Sequence, residues 1–160
     1  MIFQRKMKPC VFTFILFSIA PIMTLVIFIM SSIQIGRIDL SFLSVFIAVT
    51  FLSYAWLLKT AIEIKDNTLI VTGLFRTDLI SIPTISEITI NIIASDKSKF
   101  EMIISHSSVG QRNPIKINIK LFSKKDLQFL ANYLTEKNNN AKYDTRFLNM
   151  KVGKMPSLFN

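Results

Sequence analysis

The sequence predicts an α+β membrane protein: a two-helix transmembrane hairpin, then a small antiparallel β-barrel or sheet with a C-terminal α-helix. Three observations carry this. Between Cys10 and Leu58 lie two uncharged apolar runs, each long enough to cross a bilayer as helix. From Lys59 the apolar residues switch from continuous to alternating, the period of a strand with one buried face. After the last alternating run, leucines return at helical spacing behind a serine cap.

Of 160 residues, 51% are hydrophobic and only 18% charged, so the placement of the apolar residues decides the class. Residues 1–9 form a basic N-terminus. The stretch 10–30, "CVFTFILFSIAPIMTLVIFIM", is the first span, about 21 residues against a hydrocarbon core of ~30 Å. It outruns the ~7–15-residue core of a cleaved signal peptide, and "SSIQIG" behind it offers no small-residue cleavage site. Cys10 precedes the run instead of following it, which argues against a lipoprotein signal. Pro21 predicts a kink in a helix that otherwise continues. Residues 31–39 make a short external loop, and 40–58, "LSFLSVFIAVTFLSYAWLL", the second span. The rest of the chain is too small to wrap two helices that are apolar on every face.

Orientation follows from charge, because Lys and Arg resist translocation. Arg5, Lys6 and Lys8 precede the first span and Lys59 closes the second, whereas the loop holds only Arg37 beside Asp39. Both termini are therefore expected in the cytoplasm, and a single cysteine suits that reducing compartment. Tyr54 and Trp56 fall near the inner end of the second span, where amphipathic rings favour the headgroup layer; helix packing is the alternative reading. A net charge of +9 fits a chain held at an anionic leaflet, and predicts membrane lipids, not nucleic acid, as the partner.

Beyond Lys59, "IEIKDNTLIVTG" reads as two strands around a tight Asp66-Asn67 turn, with Ile62, Ile64, Leu69 and Val71 facing inward. "TDLISIP" is a third strand stopping at Pro83, and "EITINII" a fourth with Ile88, Ile90 and Ile92 inward. "KFEMIIS" buries Phe100, Met102 and Ile104; "IKINIKL" buries Ile115, Ile117, Ile119 and Leu121. Ser123 then caps a helix, with Asp126 in its first turn and Leu127, Leu130, Ala131 and Leu134 on one face. Residues 60–137 thus form one domain of about six strands and a helix. The basic tail, 138–160, is predicted to be mostly without fixed structure, with contact along the membrane surface as the alternative.

Paired spans followed by "IEIKDNTLIVTGLFRTDLISIPTISEITI" resemble the bacterial pleckstrin-homology-like (PH-like) domain family. The residues that carry the resemblance are Leu69, Val71, Gly73, Phe75, Ile82, Pro83, Ile85 and Ile88, with Gly73 earlier than the family pattern has it. The resemblance implies a small, partly open β-barrel capped by a helix, at the inner membrane of a bacterium, and a binding or scaffold role without catalysis. Phosphoinositide-binding members of the wider fold hold Lys and Arg around the loop joining their first two strands. Here that turn is read as the acidic Asp66-Asn67, so such binding is not implied.

Residues for catalysis are scarce. His106 is the only histidine and falls in a loop without a neighbouring Cys, His or carboxylate pair. No phosphate-cradling glycine loop is present, and no cofactor is expected. The basic face of the last hairpin is the candidate surface for an anionic lipid or a protein partner: Lys97, Lys99, Arg112, Lys116 and Lys120. Two functions follow as expectations. One is a membrane-anchored binding or assembly module, acting on a partner protein, a further copy of itself, or anionic lipid. The alternative is a self-protection factor against a membrane-active peptide, which its helical hairpin would engage.

Overall fold

A computed structural model describes residues 4–37, 40–92, 100–107 and 113–156. The chain is α+β, with two long apolar helices and two four-stranded sheets. It opens with a strand, β1 (Gln4–Met7), before α1 (Val11–Ile35) and α2 (Leu40–Lys59) form an antiparallel hairpin. At 25 and 20 residues, these helices run to roughly 37 and 30 Å at 1.5 Å per residue. Both are long and apolar enough to cross a membrane, and almost none of either is buried inside the molecule. Helix α1 runs unbroken through Pro21 and on through residues 31–35, expected in the external loop, ending on Gly36, whose left-handed backbone (φ 66°) stops it.

The first sheet is a meander in the order β1-β2-β3-β4, with β2 (Ala61–Lys65), β3 (Thr68–Thr72) and β4 (Thr77–Ser81), antiparallel throughout. The β2–β3 turn is Asp66-Asn67, and Asp66 takes the positive φ of 50° that so tight a reversal requires. Pro83 sits in a 3₁₀ turn, Ile82–Thr84, which ends β4 and redirects the chain into β5 (Ile85–Ile92). The second sheet has the order β7-β6-β5-β8, from β6 (Phe100–His106), β7 (Ile115–Asn118) and β8 (Lys142–Tyr143). A 3₁₀ turn, Ile119–Leu121, leads to α3 (Lys124–Lys137), and α4 (Thr145–Lys151) is the last element among the described residues. Isoleucines at alternate strand positions, with Leu127, Leu130 and Leu134 of α3, Phe147 and Met150 of α4, and Met7 and Leu57, form one core.

Three sequence-based readings need correction. The N-terminus is not merely a basic flank, because Gln4–Met7 pair with Lys65–Ile62 as the outer strand of the first sheet. Arg5 and Lys6 are consequently held by the domain: Arg5 meets Asp126 at 3.1 Å and lies 3.8 Å over the Phe129 ring, and Lys6 lies 3.9 Å from Glu63. The Asp66-Asn67 turn therefore joins the second and third strands, and the first and second are joined by the helical hairpin itself.

The tail is the third correction, since it carries β8 and α4 where no fixed structure is expected. Its order has local causes. Asn138 is buried and donates at 2.8 Å to the carbonyls of both Ile82 and Ile85. Asp144 caps α4 by accepting from Phe147 N–H at 2.6 Å and also accepts from Ile90 N–H at 2.7 Å. Phe147 and Met150 then reach the core. Burial raises the Tyr143 phenol above its ordinary pKa, and its hydroxyl donates to the carbonyl of Leu134 or Asn138.

Candidate functional site

The hairpin and the β-domain are joined at several points around one end of the hairpin. Leu121, at the end of its 3₁₀ turn, offers a carbonyl to Cys10 N–H at 2.8 Å and to the Thr13 hydroxyl at 3.2 Å. The first turn of α1 is thereby fastened to the second sheet, while β1 and β2 fasten both ends of the hairpin to the first. On α2, Trp56 packs partly buried against the core, with its ring 5.9 Å from that of Phe17. The hydroxyls of Tyr54 and Ser18 hydrogen-bond across the hairpin. Both aromatics thus have helix-packing roles.

Beside this junction lies a groove of about 370 Å³. Its walls are Trp56 in the last turn of α2 and Thr60 just beyond it, the hairpin-proximal end of β2–β3 (Ala61, Thr72, Gly73), and the edge of β7 (Ile115–Asn118). β7 is the end strand of the second sheet among the described residues, bonded to β6 on one side, and the groove lies along its other side. The floor holds Asp78, 8% exposed, whose carboxylate accepts from Arg76 Nε. Arg76 itself remains largely solvent-exposed, as does Lys116 on the opposite wall. The groove therefore combines two cations, a buried carboxylate, threonine hydroxyls and an indole, a set suited to holding an anionic or amphipathic group and carrying no nucleophile–base pair.

Of the five cations expected on one face, Lys97, Lys99 and Arg112 lie outside the described residues. Lys116 sits opposite Ile103 on β7, as alternation predicts. Lys120 does not share that face, because the strand ends at Asn118 and Lys120 belongs to the 3₁₀ turn. Its ammonium lies 4.4 Å over the Phe100 ring, at a second, smaller groove of about 190 Å³ formed with Phe122, Lys124 and Met155. Lys8 and Lys59 are exposed at the two ends of the hairpin. Sequence spacing does not group Thr60, Arg76 and Asp78, since only the folded chain brings them to one groove with β7.

Among the described residues no three His, Cys, Asp or Glu side chains come together as a metal site. His106, expected in a loop, is instead the last residue of β6, paired opposite Ile85, because the strand runs one residue beyond the alternating "KFEMIIS". Comparison with protein-family models, with curated proteins and with solved structures returns no match for this chain.

Proposed function

We propose that this chain is a membrane-anchored binding module at the cytoplasmic face of a bacterial inner membrane. Helices α1 and α2 cross the bilayer as a hairpin; the β-domain, a PH-like fold, receives an anionic lipid headgroup or an acidic segment of a partner protein in the inter-sheet groove. The observation that carries this reading is the groove's position. Lys116 and Arg76 border a cleft whose wall includes the last turn of a helix long and apolar enough to span a membrane. Cations at that level gain roughly 1 kcal/mol each from an anionic leaflet.

The PH-like part rests on topology: a four-stranded meander, a further three-stranded meander, then a helix packed on the core. In this reading the membrane hairpin occupies the connection between the first two strands. Sidedness draws on two independent supports. Pairing of β1 with β2 requires both ends of the hairpin to emerge on one side, and Lys8 and Lys59 flank those ends, which favours the cytoplasm.

The test is photocrosslinking in intact membranes from a photoreactive residue at position 116, with Lys120 as the comparison position. Lipid or protein adducts specific to position 116 are expected. Equal, indiscriminate adducts at both positions would sink the groove as the recognition site.

A second reading, self-protection against a membrane-active peptide, draws on a different feature. An apolar groove of about 610 Å³ runs between the helices, with Phe17, Pro21, Phe42 and Phe46 among its lining. Such a groove admits an apolar helix. Protection that survives Lys116→Glu but not exchange of the two spans for unrelated ones would favour it.

A further inference from the structure

The β3–β4 turn, Gly73–Arg76, presents an apolar tip to the solvent side of the domain. Phe75 is 92% exposed, the most exposed large hydrophobic side chain of the β-domain among the described residues. A phenyl ring so placed loses the whole hydrophobic gain it could make, so its position asks for a covering surface. The sheet register identifies which surface is near. Ala61, two residues beyond the end of α2, pairs with Thr72, and Thr72 pairs with Thr77. The turn between Thr72 and Thr77 therefore lies at the level where the hairpin ends, and Gly73 and Arg76 share a groove with Trp56 of α2.

The opposite end of the same meander makes the contrast. There the β2–β3 turn is Asp66-Asn67, five residues of β2 farther from the hairpin, or roughly 17 Å at ~3.3 Å per residue. That tip is acidic and polar. The two turns of one meander thus differ in the direction a bilayer would select: an exposed aromatic flanked by a cation near the hairpin, a carboxylate away from it. Phe75 followed by Arg76 is also the pairing an interface favours, with the ring at the acyl boundary and the guanidinium at phosphate level. The backbone permits the tip to stand out, since the turn is closed by Gly73 N–H donating to the Arg76 carbonyl at 2.8 Å.

We infer that the β3–β4 turn is a lipid-contacting anchor: Phe75 enters the headgroup–acyl boundary beside the hairpin, and this third contact holds the inter-sheet groove against the membrane surface. The inference rests on the reading of α1 and α2 as membrane spans. Because the domain is fastened to the ends of the spans, hairpin and domain can tilt in the bilayer only together, and a side chain inserted away from the spans opposes that tilt.

The test places an environment-sensitive fluorophore on the full chain in a Cys10→Ser background, through Phe75→Cys, Asn67→Cys or Ile27→Cys. The labelled chains are reconstituted into vesicles of phosphatidylethanolamine and phosphatidylglycerol with or without bromine on the upper acyl carbons. Blue-shifted emission at position 75 with strong quenching by the brominated lipid, and neither effect at 67, is the expected result. Quenching at 27 but not at 75 overturns the anchor while leaving the spans in place. A blue shift at 75 without quenching means that protein covers the ring, and also overturns it. Absence of quenching at both 27 and 75 removes the membrane reading and the anchor together.

Discussion

The hairpin and the β-domain are both rich in apolar side chains, and they turn them in opposite directions. In α1, residues such as Ile15, Ile19, Ile22 and Ile27 are exposed, whereas Ile62, Ile64, Ile88 and Ile104 of the sheets are fully buried. The same residue type is inside in one region and outside in the other. The domain supplies its own apolar environment by laying two sheets and two helices around a shared interior. The hairpin supplies none, because two helices hide only a seam from each other, so its surroundings must come from elsewhere. The pattern that distinguishes the two is periodicity: alternation marks the region that folds on itself, and an unbroken run marks the one that does not.

The sharpest way to break this contrast is a pair of deletions. Phe147→Ala removes a fully buried ring from the domain core and is expected to cost about 3–5 kcal/mol. Ile27→Ala, on the exposed face of α1, is expected to cost less than about 0.5 kcal/mol. Chemical unfolding of the full chain in detergent micelles, followed by protease sensitivity of the domain, would read both. Comparable losses would mean that the hairpin has a packed interior after all.

Asn138→Leu comes next. It removes the side-chain donor to the carbonyls of Ile85 and of Ile82, the latter keeping its bond from Ile85 N–H, at about 2–3 kcal/mol, and the same unfolding curves would report it. Asp144→Ala removes the cap of α4 and the acceptor for Ile90 N–H, for about 1–2 kcal/mol. An unchanged midpoint in either variant would separate the tail from the core.

The smallest effect is in pH. The Tyr143 pKa is raised by burial above its unfolded value of 10.0. A raised pKa means that the folded state holds the proton more tightly. Its contribution is therefore complete at neutral pH and is lost as pH climbs above about 10 through the folded value. Tyr143→Phe should flatten that alkaline loss; an identical alkaline limb in the variant would assign the loss to other groups.

Much of the fold is legible in local pattern. Both helices, the six central strands and α3 announce themselves by run length, alternation, or the Ser123–Asp126 cap. What escapes is structure whose cause is distant. Strand β1 is "QRKM", with one apolar residue on its inward side; only its pairing with Ile62–Lys65, across the whole hairpin, makes it a strand. The tail is misread for a related reason. The asparagine run after Lys137 has the composition of a loop, yet Asn138 is fixed by two carbonyls of a turn far back in sequence. Asp144 with Phe147 and Met150 was the available signal, a cap followed by apolar residues at i+3 and i+6. The groove shows the same limit: Lys116 is visible as an outward strand residue, but only the folded chain brings Arg76 and Asp78 to the same groove.

We propose that β1 and β2 clamp both ends of a membrane-crossing hairpin to one side of the bilayer, with the groove on that side. Labelling of intact cells with a membrane-impermeant maleimide tests it directly, using single cysteines at Arg37, in the loop between the helices, and at Asn67, in the β2–β3 turn, each in a Cys10→Ser background. Labelling at position 37 from outside, with position 67 reached only after permeabilisation, is the predicted result. Labelling of both from outside, or of 67 alone, would contradict it.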